Sequence, residues 1–161
     1  MNASFNTILS TGRPGRLIRR WPQLRFGDHI SGARRRTRPL VLLIEDNLTH
    51  LDLYSLILQD EVDVVTASRG ETGLAVASIE RPDAIIVDVL LPDADGLALC
   101  QRLREHPETA PIPLIVLTGD DVAYDRAAEL RSVLDAILKK PCPADRLITT
   151  VQRAIAVRSV R

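Results

Sequence analysis

The stretch "DAIIVDVLLPDADG", Asp83 to Gly96, decides how the rest of the chain is read. Ala84, Ile85, Ile86 and Val87 form a short apolar, mostly β-branched run, the pattern of a strand buried on both faces. The run stops on a carboxylate, Asp88. Leu90, Leu91 and Pro92 follow, and then "DADG". An acid at the end of a buried strand has four readings: nucleophile, metal ligand, helix cap, or the polar end of the strand.

Working outward, the same unit repeats. "LVLLIE" (Leu40 to Glu45) is another continuous apolar run that ends in acids. "NLTHLDLYSLILQD" carries Leu48, Leu51, Leu56 and Leu58 at near-helical spacing. "VDVVTA" reads as a strand and "GETGLAVASIER" as a helix stopped by Pro82. "DGLALCQRLREH" reads as a helix ended by Pro107, and "IPLIVLTG" as a strand. "DDVAYDRAAELR" is a helix with Asp120 or Asp121 as its N-cap. "VLDAIL" is a fifth strand, and "PADRLITTVQRAIAVR" a last helix with Pro143 near its first turn. Strict β–α alternation over five units predicts an α/β domain, a doubly wound parallel sheet with helices on both faces.

Composition agrees. Apolar residues make up 45% of the 161 residues and aromatics only 3%, so the core is expected to be aliphatic. No window approaches the eighteen or so uninterrupted apolar residues of a membrane span, and no apolar stretch of a secretory signal opens the chain. Cys100 and Cys142 lie far apart in apolar segments and are expected to be reduced, buried thiols of a cytoplasmic protein. The net charge of zero hides an asymmetry. Residues 1–38 hold nine Arg and one acid, a net +8, and the remainder holds 12 basic and 20 acidic residues, a net −8. The boundaries expected are an Arg-rich, disordered extension over 1–38 and a folded domain over 39–158. Within the extension, "RLIRRWPQLRF" (Arg16 to Phe26) reads either as a basic amphipathic turn for a membrane or nucleic acid, or as a solvated tail.

In an open α/β sheet, ligands bind at the carboxyl ends of the strands. There stand Glu45 and Asp46, Asp88, Thr118 and Gly119, and Lys139, Lys140 and Pro141. Three carboxylates at one edge repel each other and call for a counter-ion, and hard oxygen ligands suit Mg²⁺. A lysine opposite them would hold a second anion, and a hydroxyl could donate to it. Acids, a divalent cation, Lys and Thr together make a phosphoryl site. No "GxxxxGK[ST]" or "GxGxxG" loop is present, and no Ser–His pair stands at a strand end. Taken singly, each residue has a plainer role. Asp120 or Asp121 caps a helix, Thr118 satisfies backbone, Lys140 is a surface lysine, and His50 and His106 are surface or cap residues. Their joint occurrence at four strand ends favours the site.

The motifs "LLIEDN", "IIVDVLLPDADG", "IVLTG" and "LKKP" resemble the receiver domain of response regulators in two-component signalling, the CheY-like family. The resemblance runs from Leu40 to about Val157, with 42 residues from Asp46 to Asp88, 30 to Thr118 and 22 more to Lys140. It implies a flavodoxin-like (βα)5 sandwich with strand order 2-1-3-4-5. It implies a phosphoacceptor signalling protein that assists its own phosphorylation and dephosphorylation, rather than an enzyme. Asp88 would take the phosphoryl group of a phosphohistidine on a sensor kinase or histidine phosphotransfer protein. Asp46, Asp88, the backbone carbonyl of Leu90 and, largely through water, Glu45 would hold Mg²⁺. Lys140 would offset phosphoryl charge, Thr118 would report it, and the Lys140–Pro141 peptide would be cis.

The sequence departs from the family pattern at Ile137, where the family usually has Tyr or Phe, and at Ser132-Val133, usually Gly-Ala. With Ile137 in place of the ring, the switch is expected to act through the loop after strand 4 or through helix 4. Leu90, two after the acceptor, cannot orient a hydrolytic water, which points to a moderately long-lived phosphoryl group; Asp120 could pull the other way. Nothing after the last helix is large enough for an output domain. A stand-alone receiver is therefore expected, a monomer or weak dimer, signalling through the face of helix 4, strand 5 and helix 5 (Val122 to Val157). The kinase would dock near helix 1 and the strand 5–helix 5 loop, where Asn47, His50 and Cys142 lie. Competing readings are a phosphorylation-independent pseudo-receiver and a receiver whose basic tail binds nucleic acid, although nucleic acid is not the expected partner. A phosphatase of the haloacid-dehalogenase type would need an acid where Leu90 stands.

Overall fold

The computed structural model describes residues 36–158. The amphipathic-turn expectation for Arg16–Phe26 lies outside the described residues, as does all of the extension before Arg36. The described elements alternate: β1 Leu40–Ile44, α1 Leu48–Leu58, β2 Asp63–Ala67, α2 Gly70–Glu80, β3 Ala84–Val87, α3 Gly96–Glu105, β4 Leu114–Thr118, α4 Asp121–Glu129, β5 Ala136–Lys139 and α5 Ala144–Arg158. The strands form one parallel sheet in the order β2-β1-β3-β4-β5, the flavodoxin-like order expected.

The period-2 geometry of a strand sends alternate side chains to opposite faces, and each face has its own core. Leu42, Ile44, Ile85, Val87, Leu114 and Val116 pack with Val76 and Ala77 of α2, Leu97, Cys100 and Leu103 of α3, and Ala123 and Ala127 of α4. Val41, Leu43, Ala84, Ile86, Ile115, Leu117 and Leu138 pack with Leu51, Tyr54 and Leu58 of α1 and Leu147 and Val151 of α5. β1, β3 and β4 are buried at every position because helices cover both faces, which is why they read as unbroken apolar runs.

Element ends have identifiable causes. Asn47 caps α1, Asp95 caps α3 and Asp120 caps α4 through their side-chain oxygens. α2 has no cap of its own: Arg69 stands at its N-cap position, and Asp93 of the β3–α3 loop supplies the acceptors instead, taking bonds from Gly70 N (2.9 Å) and Glu71 N (3.2 Å). Before Pro82, α2 ends on Arg81, which adopts φ 48° and returns its N–H to Ala77 O.

The fifth strand differs from expectation. "VLDAIL" was expected to be extended from Val133, but β5 begins at Ala136. Val133 and Leu134 are held in a turn, where Arg104 Nη2 binds Val133 O at 2.8 Å and Asp135 Oδ2 at 3.0 Å. Asp135 in turn accepts from Leu114 N at 2.9 Å. At the other end, Arg36 and Arg38, grouped with the extension in the sequence, fasten to the domain. Arg36 binds Glu80 O at 2.6 Å, and Arg38 binds Gln59 O at 2.6 Å. Cys100 is fully buried and Cys142 half-exposed, so the expectation of two buried thiols holds for the first alone; both are free.

Candidate phosphoryl site

Register brings the strand ends together. Ile44 pairs with Val87, so Glu45 and Asp88, the residues that follow, stand side by side. Asp88 N donates to Ile44 O at 2.9 Å and Glu45 N to Ala67 O at 3.0 Å, which holds both backbones at the carboxyl edge. Thr118 ends β4, and its carbonyl accepts from Lys140 N at 2.8 Å. The Lys140–Pro141 peptide is cis, as the resemblance implied.

The side chains converge around one ammonium. Lys140 Nζ lies 2.5 Å from Glu45 Oε2 and 2.9 Å from Asp88 Oδ2. All three side chains are at most one-tenth exposed (Lys140 9%, Glu45 2%, Asp88 10%), so their charges are poorly screened. Burial alone would lower the lysine pKa. Hydrogen bonds and charge from Glu45 and Asp88 outweigh it and hold the ammonium above its ordinary value.

Asp46 completes the acid cluster from an exposed position. Glu45, Asp46 and Asp88 each offer an oxygen within 4.8 Å of the others. Three carboxylates against one ammonium leave two negative charges. A hard divalent cation fits that imbalance and that oxygen-only donor set.

The loop after Asp88 is tightly drawn. Leu90 N approaches Asp88 Oδ1 at 3.5 Å, Leu90 bridges to Asp95, and Gly96 N donates to Val89 O at 2.8 Å. The Leu90 side chain is exposed. Asp95 caps α3 through Leu97 N at 2.9 Å and reaches Arg126 of α4 at 2.6 Å. Thr118 is wholly buried, and its Oγ1 accepts from Asp120 N at 3.3 Å. Ile137 is half-buried against the core on the α3–α4 side.

His50, taken from sequence as a surface or cap residue, stands at the site. Its Nδ1 is 3.3 Å from Glu45 Oε1 and 3.4 Å from Lys140 Nζ. A local signal pointed to it: residues 47, 50 and 54 share one face of α1, and Asn47 follows the acid pair directly. His106 is the C-cap of α3.

The description "response regulator receiver domain" belongs to the family model that matches residues 41–152. Over 124 residues the chain is 36% identical to the DNA-binding dual master transcriptional regulator RpaA of Synechocystis, covering 76% of this chain and 51% of that protein. The chain thus spans about half the length of that relative. It is 27% identical over 117 residues to Protein PilH of Pseudomonas aeruginosa, covering 72% of this chain and 97% of that protein. Among solved structures, it is similar to the receiver domain of the sensor histidine kinase PA1611 from Pseudomonas aeruginosa, which has a magnesium ion coordinated in its active-site cleft. The TM-score is 0.67 and the identity 27%, with 74% of this chain and 98% of that one covered.

Proposed function

The chain belongs to the response-regulator receiver family of two-component signalling, and from that membership we propose that it is a stand-alone receiver whose Asp88 accepts a phosphoryl group from a phosphohistidine on a sensor kinase or histidine phosphotransfer protein. One observation carries the reading: the Lys140 ammonium bridges Asp88 and Glu45 inside a cluster of three carboxylates. In the transfer, an Asp88 oxygen forms the new P–O bond as the P–N bond to the donor histidine breaks. The imidazole leaves with the electron pair, and the product is an acyl phosphate.

Lys140 directs an N–H at the phosphoryl oxygens, and Thr118 turns its hydroxyl onto one of them after transfer. That small local bond biases a two-state element. Glu45, Asp46, Asp88 and the backbone carbonyl of Leu90 would hold Mg²⁺, which when bound supplies positive charge against the phosphoryl oxygens.

With Ile137 in the aromatic's place, the change passes to α4 through its own N-terminal loop. The signal leaves by the α4–β5–α5 face, Val122 to Val157, toward a protein target. The donor docks at α1 and the β5–α5 loop. The protein works in the cytoplasm as a monomer or weak dimer, and no described helix is long and apolar enough to cross a membrane. Leu90, two after Asp88, cannot orient a hydrolytic water, which favours a moderately long-lived phosphoryl group, while Asp120 pulls the other way.

The test is incubation with acetyl phosphate, or beryllofluoride, plus Mg²⁺, comparing the parent with Asp88→Ala. With acetyl phosphate the parent takes up one phosphoryl group and the variant none; beryllofluoride, a phosphoryl mimic that transfers no group, binds the parent and not the variant. Equal uptake by both, or none by the parent, sinks the reading; the latter leaves a pseudo-receiver that binds partners without phosphorylation.

A further inference from the structure

An ammonium carries three N–H donors and no acceptor. Lys140 Nζ has three polar neighbours: Glu45 Oε2 at 2.5 Å, Asp88 Oδ2 at 2.9 Å and, at 3.4 Å, His50 Nδ1, which accepts in the tautomer that carries its ring proton on Nε2. Two are the carboxylates of the acid cluster. The third is an imidazole nitrogen from α1.

We propose that His50 is a positioning residue for Lys140, its Nδ1 fixing the rotation of the ammonium about the Cε–Nζ bond. The inference rests on the phosphoacceptor reading of Asp88. When Asp88 takes a phosphoryl group, the N–H now on Asp88 Oδ2 must reach a phosphoryl oxygen. With two carboxylates alone, the ammonium is held at two points and the third N–H is idle. With His50 as the remaining acceptor, Glu45 and His50 retain two N–H groups while the third is exchanged. The ammonium then needs no reorganisation during transfer.

His50 is itself held. Its N–H donates to Asn47 Oδ1 at 3.2 Å, so the α1 cap sets its backbone. Tyr54, one turn on and 3% exposed, lies against the ring with centroids 5.9 Å apart. The ring therefore rests on a buried aromatic on one side and faces the lysine on the other. Nδ1 also lies 3.3 Å from Glu45 Oε1, which already accepts from Asn47 N at 3.2 Å. Accepting from Lys140 requires the Nδ1 lone pair and places the ring proton on Nε2.

The test compares the parent with His50→Phe and His50→Gln, using phosphoramidate with Mg²⁺ as the phosphoryl donor. Phenylalanine keeps a ring against Tyr54 without an acceptor, and glutamine restores an acceptor oxygen without the ring. His50→Phe should lower the maximal phosphorylation rate of Asp88 roughly three- to tenfold, the scale of one ordinary hydrogen bond. The donor concentration at half-rate and the Mg²⁺ dissociation constant should stay at the parent's values. His50→Gln should recover most of the rate. A His50→Phe rate equal to the parent's, or a glutamine variant as slow as phenylalanine, overturns the inference. So does a fall in Mg²⁺ affinity that tracks the rate, because His50 would then act through Glu45 and not Lys140. A parent that takes up no phosphoryl group overturns the reading of Asp88 itself, and is told apart by needing no variant.

Discussion

A Cβ placed on Gly96 would sit 2.1 Å from the backbone carbonyl oxygen of Asp88 and 2.8 Å from Val89 Cα. The first residue of α3 thus touches the backbone of Asp88, and the close approach leaves no room for a side chain. Backbone cannot swing aside as a side-chain tip can. Gly96→Ala is expected to lose about 2–3 kcal/mol of stability through overpacking. Urea unfolding measures it, and the acetyl phosphate reaction should slow because Asp88 is displaced with its carbonyl. An alanine variant as stable as the parent would mean that the β3–α3 loop is looser than its contacts imply.

Among the described residues, Lys140 is the only lysine or arginine bonded to the buried pair of Glu45 and Asp88. Lys140→Met removes it and leaves unpaired charge in a poorly solvated site, at an expected cost of about 3 kcal/mol. Adding Glu45→Gln to that variant should restore more than half of the loss, since the second change removes the charge the first one stranded. Mg²⁺ should raise the unfolding midpoint of Lys140→Met by more than the parent's. A double variant no more stable than the single would show that packing, not charge, holds the lysine in place.

Asp95 joins the β3–α3 loop to α4 through Arg126. Burial alone would raise its pKa. The Arg126 guanidinium and the N–H groups of Leu97 and Ala98 outweigh that and hold it below the usual carboxylate range. A depressed folded pKa contributes stability that is fully present above the unfolded value, about 3.9, and is lost as pH falls through the folded one. Asp95→Asn keeps a capping oxygen but not the charge. The stability gap between parent and Asp95→Asn should be constant at neutral pH and close below about pH 4, as followed by urea titrations at each pH. A gap that widens toward acid would contradict the assignment.

The two thiols should react at very different rates. Burial pushes the Cys100 thiol up to about 12 and leaves it no path to solvent. Cys142, half-exposed beside Pro141, is also raised by burial but remains accessible. Native protein treated with a thiol-reactive disulfide should release one equivalent of chromophore, and urea-unfolded protein two. Fast reaction of both native thiols would require Cys100 to be less buried than its packing on α3 allows.

By itself the sequence determined the architecture and most of the candidate site. Apolar runs of five or so residues alternating with helical patterns admit few arrangements other than a parallel sheet under two helical layers. Parallel strands must end at a common edge, so Glu45, Asp46, Asp88, Thr118 and Lys140 could be collected there before any coordinates. Both inferences are local: strand length, burial and the polar residue that ends each run are written along the chain. What only the tertiary structure decided are the partners between elements. Asp93 caps α2 from 23 residues away. Arg104 holds the turn that delays β5 until Ala136. Arg36 and Arg38 fasten to the ends of α2 and α1. His50 faces Lys140 from 90 residues away. Each of these bonds depends on which side chains the folded sheet brings within about 3 Å, a distance that no spacing along the sequence encodes.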